Sequence, residues 1–258
     1  MADEAAKLAP NPATPAVKAS MGSDKTVPKT APVASSPDVA RFLAEVKARA
    51  PVPAEGRGRL LFALDATMSR QPTWDLACSL QAEMFEEAGA VGGLDIQLVY
   101  YRGLGECRAS PWIADAARLG ALMAKIDCRG GRTQIGRVLR HAASEAGRGP
   151  VGALVFVGDA MEEHLDHLCA EAGPLALRGI PVFMFQEGRD PSVERAFREI
   201  ARLTHGAWCR FDAGAAAELR ALLRAAASYA AGGREALTAL SNSSSGARQL
   251  LAAMRDTR

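Results

Sequence analysis

Five oxygen-bearing side chains in three separated segments could together hold one divalent metal ion. The first segment reads Asp-Ala-Thr-Met-Ser and supplies Asp65, Thr67 and Ser69, while Thr133 and Asp159 come from two later segments. Mg²⁺ prefers six oxygen ligands in octahedral geometry, and both hydroxyls and carboxylates meet that preference. These residue types therefore indicate a site for Mg²⁺ or Mn²⁺.

Each of the three segments adjoins a predicted strand or helix. Asp65 follows the apolar run Leu60–Leu64, and Asp159 follows the run Val151–Val157 and one glycine. Thr133 comes just before an amphipathic helical stretch. Open parallel sheets bind ligands at the carboxyl ends of strands, where the strand order reverses. The sequence therefore predicts that all these side chains face one point at that edge of the sheet.

From Arg59 onward, apolar strand-like runs alternate with amphipathic helical stretches, which is typical of an α/β domain with a mainly parallel sheet. The predicted strands are Leu60–Leu64, Leu94–Tyr101, Glu106–Ser110 (an antiparallel edge strand), Val151–Val157, Ile180–Phe185 and Ala207–Phe211. Three of them are apolar almost throughout, which predicts central strands covered by helices on both faces. Helical stripes with three-four spacing begin at Trp74, Leu119, Ile135, Val193 and Leu219.

The five site residues also follow the order of a known motif, D-x-[ST]-x-S, then a Thr, then an Asp. This pattern resembles the metal-ion-dependent adhesion site (MIDAS) of the von Willebrand factor A (VWA) family, and the resemblance covers roughly residues 57–230. It implies a Rossmann-like, doubly wound sheet in the order 3-2-1-4-5-6, with Asp65 and Asp159 on adjacent central strands. One departure is Asp159-Ala160, where many relatives have Asp-Gly; it alters loop freedom but removes no ligand.

The resemblance also implies how such a site would work. Ser69 would bind the metal directly, whereas Thr67 and Thr133 would reach it through water in some states. If Asp65 and Asp159 stay outside direct coordination, the metal keeps an open position that a partner's Asp or Glu carboxylate can complete. The expected function is a metal-dependent protein-interaction module. Intracellular relatives suggest, more specifically, an adaptor of an AAA+ ATPase.

Three alternatives stay open from the sequence. Glu162, Glu163, His164 and His167 have a spacing that could bind a transition metal, although charged residues at a helix start are commonly just favourable first-turn charges. A phosphoesterase could use the same Mg²⁺ to polarise a phosphoryl oxygen, yet no nucleophile or base can be assigned. The terminal segments could instead make the contacts with a partner, and the metal site would then be vestigial.

The D-x-[ST]-x-S string alone arises by chance after about one Asp in a hundred. Its placement after a buried strand is therefore stronger support for a metal site than the string itself.

Composition limits the class of protein. The chain has 258 residues, 48% of them hydrophobic, and a formal net charge of +2, which indicates an ordinary globular protein without a nucleic-acid surface. Its five cysteines have no C-x-x-C spacing, which argues against a disulfide framework or a zinc ribbon. The acidic start and the short apolar runs predict neither a signal peptide nor a membrane span. We therefore expect a cytoplasmic protein, and the abundance of Ala, Arg and Gly hints at a bacterial genome.

The chain divides into four predicted parts. Residues 1–36 are rich in Pro, Ala, Thr and Lys and predict a disordered tail. Residues 37–56 predict a helix that docks on the main domain, followed by a Pro/Gly/Arg linker. Residues 57–231 form the predicted VWA-like domain, and Gly232-Gly233 should end its last helix. Residues 232–258 are expected to be a partly helical C-terminal tail.

Overall fold

The computed structural model describes residues 57–67, 71–90, 92–212 and 215–256. The predicted tail (1–36) and the predicted docking helix and linker (37–56) lie outside these residues, and so does Ser69. Of the five predicted metal ligands, the structure therefore describes four.

Six strands form one sheet in the order β3-β2-β1-β4-β5-β6. They are β1 Gly58–Asp65, β2 Leu94–Arg102, β3 Glu106–Ala109, β4 Ala153–Gly158, β5 Val182–Glu187 and β6 Ala207–Phe211. All neighbouring pairs are parallel except β2 and β3. The predicted strand order and the predicted antiparallel edge strand are confirmed.

Seven helices cover the two faces of the sheet in the described part of the chain. They are α1 Gln71–Gly89, α2 Ala116–Met123, α3 Ile135–Arg148, α4 Leu165–Leu177, α5 Pro191–Leu203, α6 Ala216–Leu240 and α7 Ser245–Asp256. One core contains side chains from α1, α2, α6 and α7, and the other contains side chains from α3, α4 and α5. This is the predicted doubly wound α/β arrangement. None of the described helices has the length and apolar character needed to cross a membrane.

The apolar runs of the sequence are strands that are buried on both faces. In β1, Leu60, Phe62 and Leu64 pack into one core, while Leu61 and Ala63 pack into the other, because successive side chains of a strand point to opposite faces. Every residue of β4 is buried. Burial on both faces explains why these strands are apolar throughout rather than alternating.

Helix α4 was not among the predicted helical stripes. Its buried residues are Leu168, Ala172 and Leu175, which do have helical spacing, but Pro174 lies within the helix. A proline inside a helix removes one backbone donor and weakens the sequence signal for a helix. Helix α4 has only 13 residues, and a helix this short is marginal on its own. Packing on the sheet therefore supplies most of the stabilisation of the helix.

The C-terminal part of the described chain packs on the sheet. Helix α6 has non-helical backbone angles at Gly232 and Gly233, where the sequence predicts a stop, and then continues to Leu240. Helix α7 contacts α6 and β6, and it buries Leu250 and Met254 in the same core as α1. This segment is therefore helical and packed, and the domain boundary at residue 231 stays a prediction.

Candidate metal centre

The two predicted aspartates lie at the carboxyl ends of adjacent central strands. Asp65 is the last residue of β1, and Asp159 follows the last residue of β4. The strands are paired in parallel, with Leu64 opposite Val157. A pocket of about 230 Å³ opens at this edge, and four predicted ligands line it: Asp65, Thr67, Thr133 and Asp159. Gly130, Gly131, Ala160 and Glu162 complete the lining.

The loop after β1 is held by a hydrogen bond within the loop and by two bonds to other segments. The backbone N–H of Thr67 donates to Oδ1 of Asp65 at 2.7 Å, and Asp65 is only 3% exposed. The N–H of Ala66 donates to the carbonyl of Tyr101 at 3.0 Å, and the carbonyl of Ala66 accepts from the N–H of Arg129 at 2.9 Å. These bonds hold the loop that places the Asp65 carboxylate and the Thr67 side chain at the pocket.

The hydroxyl of Thr133 is oriented by the loop that carries Asp159. The backbone N–H of Glu162 donates to Oγ1 of Thr133 at 3.1 Å. A hydroxyl oxygen has two lone pairs, so this bond leaves one for another partner. Thr133 and Asp159 are therefore positioned relative to each other by the backbone.

A close backbone contact holds the other side of the pocket. The N–H of Arg132 donates to the carbonyl of Gly103 at 3.0 Å, which joins the loop before α3 to the turn between β2 and β3. A Cβ atom on Gly131 would lie 2.2 Å from the backbone nitrogen of Gly103. Only glycine allows the two loops to approach this closely.

Glu163 holds the start of α3 beside the pocket, a role that we did not predict from the sequence. Its Oε2 accepts from the N–H of Ile135 at 2.5 Å, and its Oε1 accepts from the N–H of Gly136 at 3.1 Å. A carboxylate at a helix N-terminus satisfies free N–H groups and interacts favourably with the helix dipole. Burial raises the pKa of Glu163, although the two backbone bonds and neighbouring positive side chains oppose that shift.

The alternative transition-metal site gains no support in the described residues. Glu163 is engaged with α3, while Glu162 and His164 are exposed. His167 lies 3.8 Å from a carboxylate oxygen of Glu171. Within the described ranges there is no group of three or more His, Cys, Asp or Glu that could hold a metal ion. The pocket of Asp65, Thr67, Thr133 and Asp159 differs from this cluster because these four side chains offer only carboxylate and hydroxyl oxygens.

Another carboxylate that the sequence did not reveal, Glu187, ties helix α1 to the sheet near the pocket. Glu187 ends β5 and accepts a short hydrogen bond from the hydroxyl of Thr73, in the first turn of α1. Gly158 pairs with Gln186, so Glu187 lies level with Asp159 on the next strand. A carboxylate directly after a buried strand is the same signal that identified Asp159, and it could have indicated Glu187.

Replacing Glu163 by glutamine should destabilise the fold by about 1 kcal/mol, because the helix loses a charged acceptor, and should weaken the Mg²⁺ binding that the sequence predicts for this pocket about threefold to tenfold. Isothermal titration calorimetry and thermal unfolding measure the two effects. Asp166→Asn is the matched control, since Asp166 is exposed in the first turn of α4. Equal affinity and stability in Glu163→Gln and the wild-type protein would contradict the positioning role.

Comparisons with known proteins identify the fold. No protein-family model and no curated protein sequence matches the chain. One similar solved structure is that of an aerotolerance-related membrane protein from Bacteroides fragilis, which carries multiple mutations to serines. Its TM-score is 0.50 and its sequence identity is 18%. The match covers 66% of this chain and 98% of that one. The vWF domain of the type V pili tip protein Mfa5 from Porphyromonas gingivalis matches at 0.51 and 10% identity, over 66% and 93%.

The pilus adhesin SpaC from Lactobacillus rhamnosus GG is similar as well, with a TM-score of 0.52 and 11% identity. That match covers 68% of this chain but only 30% of the adhesin, so the similarity concerns one part of a larger protein. At these identities the similarity concerns the fold and does not extend to the ligands of a site. The strand order and these neighbours agree, and the chain has the von Willebrand factor A fold.

Proposed function

We propose that the pocket binds Mg²⁺ (or Mn²⁺) through Asp65, Thr67, Ser69, Thr133 and Asp159, and that the bound metal captures a carboxylate of a protein partner. The observation that carries this proposal is that one pocket is lined by four of the five residues, although they come from three separate segments. Ser69 lies two residues beyond Thr67 on the same strand-to-helix connection.

The residues present suit a hard divalent cation. Carboxylate and hydroxyl oxygens are the ligands that Mg²⁺ and Mn²⁺ prefer, and among the described residues neither a thiol nor an imidazole lines the pocket. The Asp65 carboxylate already accepts the N–H of Thr67, which restrains it in one orientation. When bound, the metal would supply a localised positive charge that attracts an anionic oxygen of the partner.

The partner we propose is a protein that presents an exposed Asp or Glu side chain. A metal held mainly by hydroxyls keeps much of its charge, so a carboxylate binds it more strongly than a neutral group does. The more specific proposal is an adaptor of an AAA+ ATPase in the cytoplasm. An interaction role is in keeping with the names of two proteins of similar fold, a pilus adhesin and a pilus tip protein.

Titrating Mg²⁺ into the full chain by calorimetry tests the metal, and partner capture with and without a chelator tests the carboxylate. We expect saturable Mg²⁺ binding and a captured partner that EDTA releases and fresh Mg²⁺ restores. Recovery of an AAA+ ATPase in the captured material would support the adaptor role. Absence of Mg²⁺ and Mn²⁺ binding, or capture insensitive to EDTA, would refute the proposal, whereas metal-dependent turnover of a phosphoester would favour a hydrolase.

A further inference from the structure

A groove of about 620 Å³ lies between α5 and α7 and shares no lining residue with the metal pocket. Its lining includes Arg195, Arg198 and Arg202 of α5, Trp208 of β6, and Ala252 and Ala253 of α7. Helix α5 packs on one face of the sheet and helix α7 on the other. The groove therefore runs along the edge of the sheet at β6.

Strand β6 is the edge of the sheet among the described residues, and part of its backbone points away from β5. The carbonyl of Phe211 accepts from the N–H of Gly188, so the backbone groups of Phe211 point toward β5. These groups alternate in direction along a strand, which means that those of Trp208 and Arg210 point away from β5. Among the described residues, β6 pairs with β5 alone. An edge of this kind can accept an additional strand.

Trp208 forms a fixed apolar surface in the groove. Its Nε1 donates to Oε1 of Gln186 at 3.0 Å, and Gln186 is fully buried. The guanidinium carbon of Arg198 lies 3.8 Å from the centre of the indole ring, within the range of a cation–π contact. The indole is thus held from two sides, and a ligand that packs on it would not have to order it first.

The α5 side of the groove carries excess positive charge. Helix α5 and strand β6 together contain four arginines and two glutamates. Glu194 pairs with Arg198 at 2.8 Å, and Glu199 pairs with Arg202 at 2.6 Å. Arg195 is exposed, and no ion pair engages it within the ranges that the structure describes. The α7 side differs, because its described lining consists of two alanines and one glutamine, none of them charged.

We propose that this groove binds an extended acidic segment of a protein partner, which adds a strand to the edge of β6. Side chains of a strand point alternately to its two faces, so acidic residues of the segment would face the arginines of α5. The intervening apolar residues would pack against Ala252 and Ala253. Backbone bonds to Trp208 and Arg210 give affinity in this mode of recognition, and the alternation of acidic and apolar residues gives specificity.

Fluorescence anisotropy with labelled short peptides tests this proposal on the full chain. The probes are peptides in which Glu alternates with Val or Leu, together with Lys-for-Glu analogues and analogues N-methylated on alternate backbone nitrogens. We expect saturable binding of the acidic peptides only, weakened about tenfold or more by N-methylation, which removes the strand hydrogen bonds. Arg195→Glu should weaken binding about tenfold, because it replaces attraction by repulsion.

The matched control is Arg118→Glu, an equal charge reversal at an exposed position of α2, and it should leave peptide binding unchanged. EDTA should also leave peptide binding unchanged, because the groove needs no metal. Failure of the groove proposal and failure of the metal proposal can therefore be told apart. No saturable binding, or equal binding of the Lys analogues, would overturn the proposal. Two other results would assign the groove to another occupant and would also overturn the proposal. One is the formation of concentration-dependent dimers that Arg195→Glu dissociates. The other is peptide binding that appears only after removal of residues 1–56.

Discussion

Replacing Asp159 by alanine should lower the affinity for Mg²⁺ about 100-fold or more while the protein stays folded. The carboxylate is one of two that line the proposed metal pocket from strand ends, and loss of such a group commonly costs 10–100-fold in metal affinity even when it is not a direct ligand. Asp159 is only partly buried and lies outside the strand ladder, so its truncation leaves no cavity in the core.

Calorimetry with Mg²⁺ and electron paramagnetic resonance of free Mn²⁺ measure this loss directly, and circular dichroism checks the fold. Asp166→Ala is the control, because Asp166 is exposed on the helix that follows the same loop. The Asp65→Ala variant should lose affinity to the same extent, with an added loss of stability because Asp65 accepts the N–H of Thr67. An Asp159→Ala protein that binds Mg²⁺ as tightly as the wild type would exclude this pocket as the metal site.

Replacing Gly131 by alanine should strongly reduce both the stability of the fold and Mg²⁺ binding. In Gly131→Ala, the new Cβ would lie 2.2 Å from the nitrogen and 2.4 Å from the oxygen of Gly103. Backbone atoms cannot rotate away as a side chain can, so the loop must move, and Thr133 moves with it. We expect a loss of about 3 kcal/mol, a fall in Tm of roughly 6–12 °C, and little remaining Mg²⁺ binding.

Gly130→Ala is a matched control one residue away. A Cβ at Gly130 would meet no atom within 4 Å, so this variant should keep the wild-type Tm. Thermal unfolding and calorimetry on the two variants separate a steric effect on the loop from a general intolerance of alanine there. Equal behaviour of Gly130→Ala and Gly131→Ala would contradict the close approach between the two loops.

Much of the architecture was predictable because its signals are local. Apolar runs such as Leu60–Leu64 and Val151–Val157 indicate strands buried on both faces, and three-four spacing indicates the helices between them. The strand order came from the resemblance to the VWA family, and the structure confirms it. The exception is α4, whose short stripe is interrupted by Pro174.

The groove at β6 was not visible in the sequence. Arg195 and Trp208 belong to successive elements, but Ala252 comes from a segment that the sequence described only as a partly helical tail. Whether an edge strand is open or covered depends on where the last helix packs, and no local pattern specifies that.

The sequence alone suggested which side chains could bind a metal, and it determined that strand ends would carry Asp65 and Asp159. This was possible because strand direction and the carboxyl edge follow from the order of elements along the chain. Only the tertiary structure decided how the pocket is held together: Glu163 caps a helix that begins 28 residues earlier in the chain, and Gly131 packs on Gly103. Such contacts join residues that are distant in sequence, so their geometry depends on the packing of the whole sheet and its helices.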